Sequence, residues 1–159
     1  MRKIKLKICA SIVCIFALLC PVLSSASPAY FSATADSDSS SLVVITNPPS
    51  FSSTTQKGVV FCGYGSAGTT VSIYLFNSTT QRYEKMYVYG NPVSTTINAS
   101  GVFWKKVDLP NGLNKVLVCA EKDGAYQLVR REVSVLSSNL ADRIKGYTVN
   151  MTNALQMGR

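Results

Sequence analysis

The stretch from Gly101 to Gly124, GVFWKKVDLPNGLNKVLVCAEKDG, constrains the fold of this chain more than any other segment. Two alternating apolar runs flank Pro110-Asn111-Gly112, so the stretch reads as two strands joined by a tight turn. Phe103, Val107, Leu109, Val116 and Val118 fall in the phase that faces a core. Trp104 and Cys119 are out of phase with them and are expected outside.

The first 26 residues stand apart. Arg2, Lys3, Lys5 and Lys7 precede an apolar stretch from Ile8 to Leu19, Pro21 ends it, and Ser24, Ser25 and Ala26 supply the small residues of a cleavage site. This is the pattern of a secretory signal peptide cut after Ala26, and the apolar stretch is short for a bilayer span of about 20 residues. Leu19 before Cys20 is too bulky for a lipoprotein signal. Of sixteen basic and eight acidic residues, four of the basic ones lie in this leader, so the mature chain carries +4. That balance argues against nucleic acid as a partner and supports no more than weak attraction to an anionic envelope. No stable membrane span is expected once the leader is removed.

Residues 27–41 are small and polar and are expected to form a flexible linker. Residues 42–137 then divide into short strands with turn signals about every 8 to 12 residues. These strands are expected at 42–46, 57–64, 70–76, 82–89, 93–97, 102–109, 115–121 and 126–136. In the hairpin of 70–76 with 82–89, pairing Leu75 with Glu84 also pairs Ile73 with Met86 and Val71 with Val88, leaving one face apolar. The expected fold is all-β, an antiparallel sandwich of about seven to eight strands. From residue 138 the pattern changes: Leu140, Ile144, Tyr147, Met151 and Leu155 recur at helical spacing, broken by Gly146, in what reads as a short tail.

Three stretches resemble the bacterial Ig-like modules of secreted and surface proteins. FCGYGSAGTTVSIYLF is similar to that family's second and third strands, with Gly63 and Gly68 at its strand exit and turn. ASGVFWKKVDLPNGLNKVLVCAEKDG resembles its central signature and VRREVSVL its closing strand. The segment 77–93 is longer than such modules need. The resemblance implies an adhesive, spacer or binding role, and it carries over no catalytic residue.

The chain has no histidine, which removes the usual general base, the usual zinc ligand and the serine–histidine triads. Glu84, Asp108, Glu121, Asp123 and Glu132 are scattered among strand ends and turns rather than paired for glycoside hydrolysis. Glu121 and Asp123 offer too few oxygens for calcium. No enzyme, cofactor or metal site is expected. Asn77, Asn98 and Asn150 each begin an Asn-x-Ser/Thr sequon, which matters only in a eukaryotic secretory host.

Two features remain as candidate sites. Tyr74, Phe76, Tyr83, Lys85, Tyr87 and Tyr89 share the outer face of the 70–89 hairpin, where exposed rings would stack on sugars or anchor a protein; Trp104 would extend that surface. Cys62 and Cys119 are the two cysteines left in the mature chain, and they sit on strands of the kind an Ig-type disulfide joins. An oxidising compartment argues for the bond, whereas strand phase puts both thiols on outer faces of opposite sheets. The expectation is a secreted or cell-surface module, non-enzymatic, mediating adhesion or protein binding. The alternatives are a carbohydrate-binding module for a cell-envelope glycan, or a structural spacer or assembly subunit.

Overall fold

The computed structural model describes residues 27–37 and 41–137; the expected signal peptide (1–26), residues 38–40 and the expected tail from residue 138 lie outside the described residues. Twelve strands occupy them, and no helix: β1 Tyr30–Ser32, β2 Val43–Asn47, β3 Ser52–Thr54, β4 Gly58–Gly65, β5 Thr70–Asn77 and β6 Arg82–Lys85 in the first half. The second half supplies β7 Tyr87–Val88, β8 Asn91–Pro92, β9 Ser94–Thr96, β10 Val102–Asp108, β11 Gly112–Lys122 and β12 Ala125–Val135.

They form an all-β sandwich. The larger sheet runs β1-β6-β5-β11-β12-β3, with β9 also paired to β5; the smaller runs β10-β4-β2. Every pairing is antiparallel except that of β3 with β12. The expected seven to eight strands become twelve because β1, β3 and β8 are only two or three residues long, and because the expected strand 82–89 divides into β6 and β7.

The alternation read from the sequence explains the core. Val59 and Phe61 of β4, Phe103 and Val107 of β10, Val71 and Ile73 of β5, and Val116, Val118 and Ala120 of β11 all enter one buried cluster between the sheets. Leu109 joins them. Each valine, isoleucine, leucine and phenylalanine among them contributes roughly 1.5–3 kcal/mol on leaving water.

The two strands of the opening stretch are not a hairpin. β10 pairs with β4 in the smaller sheet, while β11 pairs with β5 and β12 in the larger. Pro110-Asn111-Gly112 therefore carries the chain from one layer to the other. The tight hairpin is β11–β12, whose register from Gly112↔Val135 to Lys122↔Ala125 is closed by Asp123 and Gly124, both at positive φ. That is the geometry two-residue hairpin loops prefer.

One side of the sandwich is stitched by side chains. Gln127 of β12 accepts from the Val43 amide at 2.8 Å and donates to the Val43 carbonyl at 3.1 Å. Arg131 donates to the Ile45 and Pro48 carbonyls, each at 3.1 Å. These bonds satisfy backbone groups of edge strand β2 that would otherwise invite pairing with another chain.

Residues 27–37 correct the linker reading. Tyr30–Ser32 pair with β6, and the segment continues across the outer face of the larger sheet, where Ser37 accepts from the Leu128 amide at 2.8 Å. The Arg130 guanidinium holds the Ala35 carbonyl. Phe31 is the reason: its ring packs against Tyr74 at 5.1 Å and Tyr126 at 5.7 Å, closing a second buried cluster with Tyr83, Leu117, Cys119 and Leu128. The burial of Phe31, together with the β1–β6 pairing and the bonds to Ser27, Pro28, Ala35 and Ser37, offsets the entropy of ordering this polar segment.

Candidate functional site

The residues that strand phase grouped as one binding face separate into three places. Tyr74 is fully buried and Tyr83 is 6% exposed, because residues 27–37 cover the face on which both lie. Phe76 is half-buried, 5.2 Å from the Tyr83 ring, and Lys85 is half-buried with its ammonium 5.5 Å above the Tyr74 ring. The phase was right and the exposure was wrong: these four side chains face outward from the sheet into a covered cluster. The Tyr74 hydroxyl donates to the Pro28 carbonyl at 2.7 Å, and burial raises its pKa far above the phenolic range.

Tyr87 and Tyr89 lie elsewhere. Leu75↔Glu84 holds as expected, but pairing with β5 passes at Met86 from β6 to β9, so Val71 opposes Thr95 and not Val88. Ile73 accepts from the Met86 amide at 2.9 Å and donates to the Val93 carbonyl at 3.0 Å, pinching the chain between them. What lies between is a short ribbon, β7–β8, turned by Tyr89 and Gly90 at φ 50° and 80°. Tyr89 is completely exposed at its tip.

Trp104 belongs to the smaller sheet, on the opposite side of the molecule's core, and is 71% exposed. Its neighbours make a continuous surface. Register places Val44, Tyr64 and Val102 in one row across β2, β4 and β10, and Cys62 beside Trp104 in the next. Val60, opposite Lys106, extends the surface further. Val44, Val60, Tyr64, Val102 and Trp104 are all exposed. Adjacent strands lie about 4.8 Å apart, so Tyr64 and Trp104, diagonal across β4 and β10, are near neighbours on this face.

Only Trp104 of this set was singled out from the sequence. Val44, Val60, Tyr64 and Val102 alternate with core residues and read as ordinary outward positions; that they share one face follows from the β2–β4–β10 order, which strand phase does not encode. Their exposure is informative because five apolar and aromatic side chains cluster here, while on the larger sheet's outward face Leu113 is the exposed apolar side chain of β11 and Leu117 and Cys119 are covered.

Cys62 and Cys119 are free thiols, the first half-buried on this outer face and the second buried in the covered cluster. They point away from each other across both sheets, a separation that no disulfide spans. The Cys62 sulfur lies 3.6 Å from the Thr46 hydroxyl. Burial pushes the Cys119 thiol up to about 12, with the Glu121 charge adding to the effect.

Glu84 and Glu121 bind neighbouring segments of the chain. Hydrogen bonds from Asn77 and Thr80 hold the Glu84 carboxyl below its usual range, making it the anion that fixes the β5–β6 turn. Glu121 accepts from the Ser27 hydroxyl at 2.6 Å. Among the described residues no three His, Cys, Asp or Glu side chains converge as a metal site would require, and no helix is long and apolar enough to cross a membrane. No protein-family model matches the chain, and no curated protein matches it.

Proposed function

We propose that this chain is an exported, non-enzymatic Ig-like module that binds a partner protein at the cell surface or in the extracellular space, using the outer face of β2, β4 and β10. One observation carries the reading: residues 27–37 cover the part of the larger sheet's outward face that holds Tyr74, Tyr83, Leu117, Cys119 and Leu128, yet Val44, Val60, Tyr64, Val102 and Trp104 lie bare together on the outward face of the smaller sheet. A soluble module that stays monomeric has reason to blunt such a surface with charge. Tryptophan and tyrosine are side chains that often dominate protein interfaces, and here Tyr64 is on the central strand with Trp104 diagonal to it on β10. The leader pattern supports export, and the absence of histidine from the whole chain supports a binding role over catalysis.

The diagonal pair Tyr64 and Trp104 favours a second reading, in which two rings on a flat sheet stack on the pyranose faces of an envelope glycan. One experiment separates the two. A photo-crosslinking amino acid at position 104 or 64, in protein secreted by its own host, is expected to capture a discrete protein. The same probe at Thr79, on the far turn, captures nothing. Trp104→Ala lowers the affinity for that protein by at least tenfold without moving the thermal midpoint. Trp104 is the chain's sole tryptophan, so its fluorescence reports the alternative directly. A titratable response to isolated envelope glycan, with no protein captured, replaces the first reading by the second. No capture and no response at either position removes both.

A further inference from the structure

The covering segment is held along its backbone at Ser27, Pro28 and Ala29. From the first described residue, three successive carbonyls are held: Lys85 Nζ donates to that of Ser27 at 2.7 Å, the Tyr74 hydroxyl to that of Pro28 at 2.7 Å, and the Lys85 amide to that of Ala29 at 3.0 Å. The Ser27 hydroxyl completes the clamp on Glu121 at 2.6 Å. Ser27 is also the residue that follows Ser24-Ser25-Ala26, the small-residue site at which the leader is expected to be cut.

We propose that leader removal builds a latch: the α-ammonium released at Ser27 pairs with Glu121 at the end of β11 and fastens residues 27–37 over the larger sheet. The inference rests on the export reading. Hydrolysis of the Ala26–Ser27 amide by a signal peptidase consumes one water, leaves a carboxylate on Ala26 and frees an amine on Ser27 that takes up a proton below its usual pKa of about 8. The uncut chain has a neutral amide at the same place. Because the Ser27 hydroxyl already touches the Glu121 carboxylate, the nitrogen on the same residue lies within roughly 6 Å of it by covalent geometry.

The surrounding charges are mixed. Asp123 and Lys122 line the same depression, Lys85 of β6 reaches it through the Ser27 carbonyl, and Tyr74 of β5 stands neutral beside Pro28. Glu121 touches Ser27 through the hydroxyl and Lys85 through the carbonyl, so the α-ammonium stands between one anion and one cation, and the comparison with Glu121→Gln isolates the attraction to Glu121. A partly exposed pair of this kind shifts an equilibrium by about threefold. The raised α-amino pKa in the folded chain makes this stabilisation complete below about pH 8 and lost as pH rises through that raised value.

The test compares the mature chain from Ser27 with the same chain Nα-acetylated and with one retaining Ser25 and Ala26, each with Glu121 and with Glu121→Gln. Hydrogen exchange at the Tyr30–Ser32 amides is expected to quicken about threefold in both blocked forms when Glu121 is present. The difference is expected to vanish in Glu121→Gln. Equal protection in free and blocked forms, or a difference that survives Glu121→Gln, overturns the latch. Should Glu121→Gln not fold, NMR titration of the Ser27 α-amino group decides: a pKa above that of the acid-unfolded chain supports the latch, and one at or below it overturns it. Mass spectrometry of the secreted protein tests the premise separately, since a first residue other than Ser27 overturns the proposal there without touching the Glu121 comparison.

Discussion

Tyr74 shows how one side chain can satisfy a strand pattern and still defeat the inference drawn from it. Its alternation with Val71, Ile73 and Leu75 places it on the outward face, and it is there; yet it is fully buried with its hydroxyl on the Pro28 carbonyl. Phase reports which side of a sheet a residue takes, and burial depends on what lies over that side. The two thiols divide in the same way. Both face outward, Cys62 onto a bare sheet and Cys119 into the covered cluster. On the chain from Ser27, iodoacetamide is therefore expected to place one adduct on the native protein, at Cys62, and two after denaturation, read by mass with peptide mapping. Two native adducts would contradict the cover over Cys119, and none in either state would mean a disulfide.

Among the elements, the eight expected strands each have a counterpart, because alternating runs such as Gly58–Gly65 and Thr70–Asn77 declare themselves locally. What joins them was less legible. The passage from β10 to β11 crosses between sheets, since Phe103, Val107, Val116 and Val118 can fill one core from opposite layers as readily as from a single hairpin. The exchange of β6 for β9 beside β5 expels Tyr87–Pro92 as a ribbon, and no alternation in that stretch foretells it. β1 was hidden most thoroughly. Its neighbourhood is serine, alanine and aspartate, a composition with too little apolar surface to order itself alone, and Phe31 carries the docking. Phe31→Ala is expected to cost about 3 kcal/mol in urea unfolding, as truncation of a buried phenylalanine does, and to release Tyr30–Ser32 to rapid hydrogen exchange. A loss under about 0.5 kcal/mol, the usual range for a surface substitution, would return the segment to the status of a linker.

At the scale of the described sandwich the two outward faces differ: the larger sheet carries a second buried cluster on its outer side, and the smaller leaves Val44, Val60, Tyr64, Val102 and Trp104 exposed. The site was legible only in Trp104, because a bare face is a property of sheet order and of what fails to cover it, neither of which is local. The second core also ties global stability to alkaline pH. Tyr74 and Cys119 are both held neutral there, the phenol far above its normal range and the thiol at about 12. In the unfolded chain they ionise near their ordinary values, about 10 and 8.5. Above the ordinary thiol value the unfolded state therefore binds fewer protons than the folded one, and stability falls as pH rises. The urea midpoint is expected to be level from pH 6.5 to 8 and to decline by pH 10.5. Cys119→Ala removes the earlier part of that decline, between about pH 8 and 9, where the unfolded thiol titrates ahead of the phenol. An unchanged slope in Cys119→Ala would mean that the thiol is accessible to water in the folded state. That outcome would count against the covered face on which the contrast between the two sheets depends.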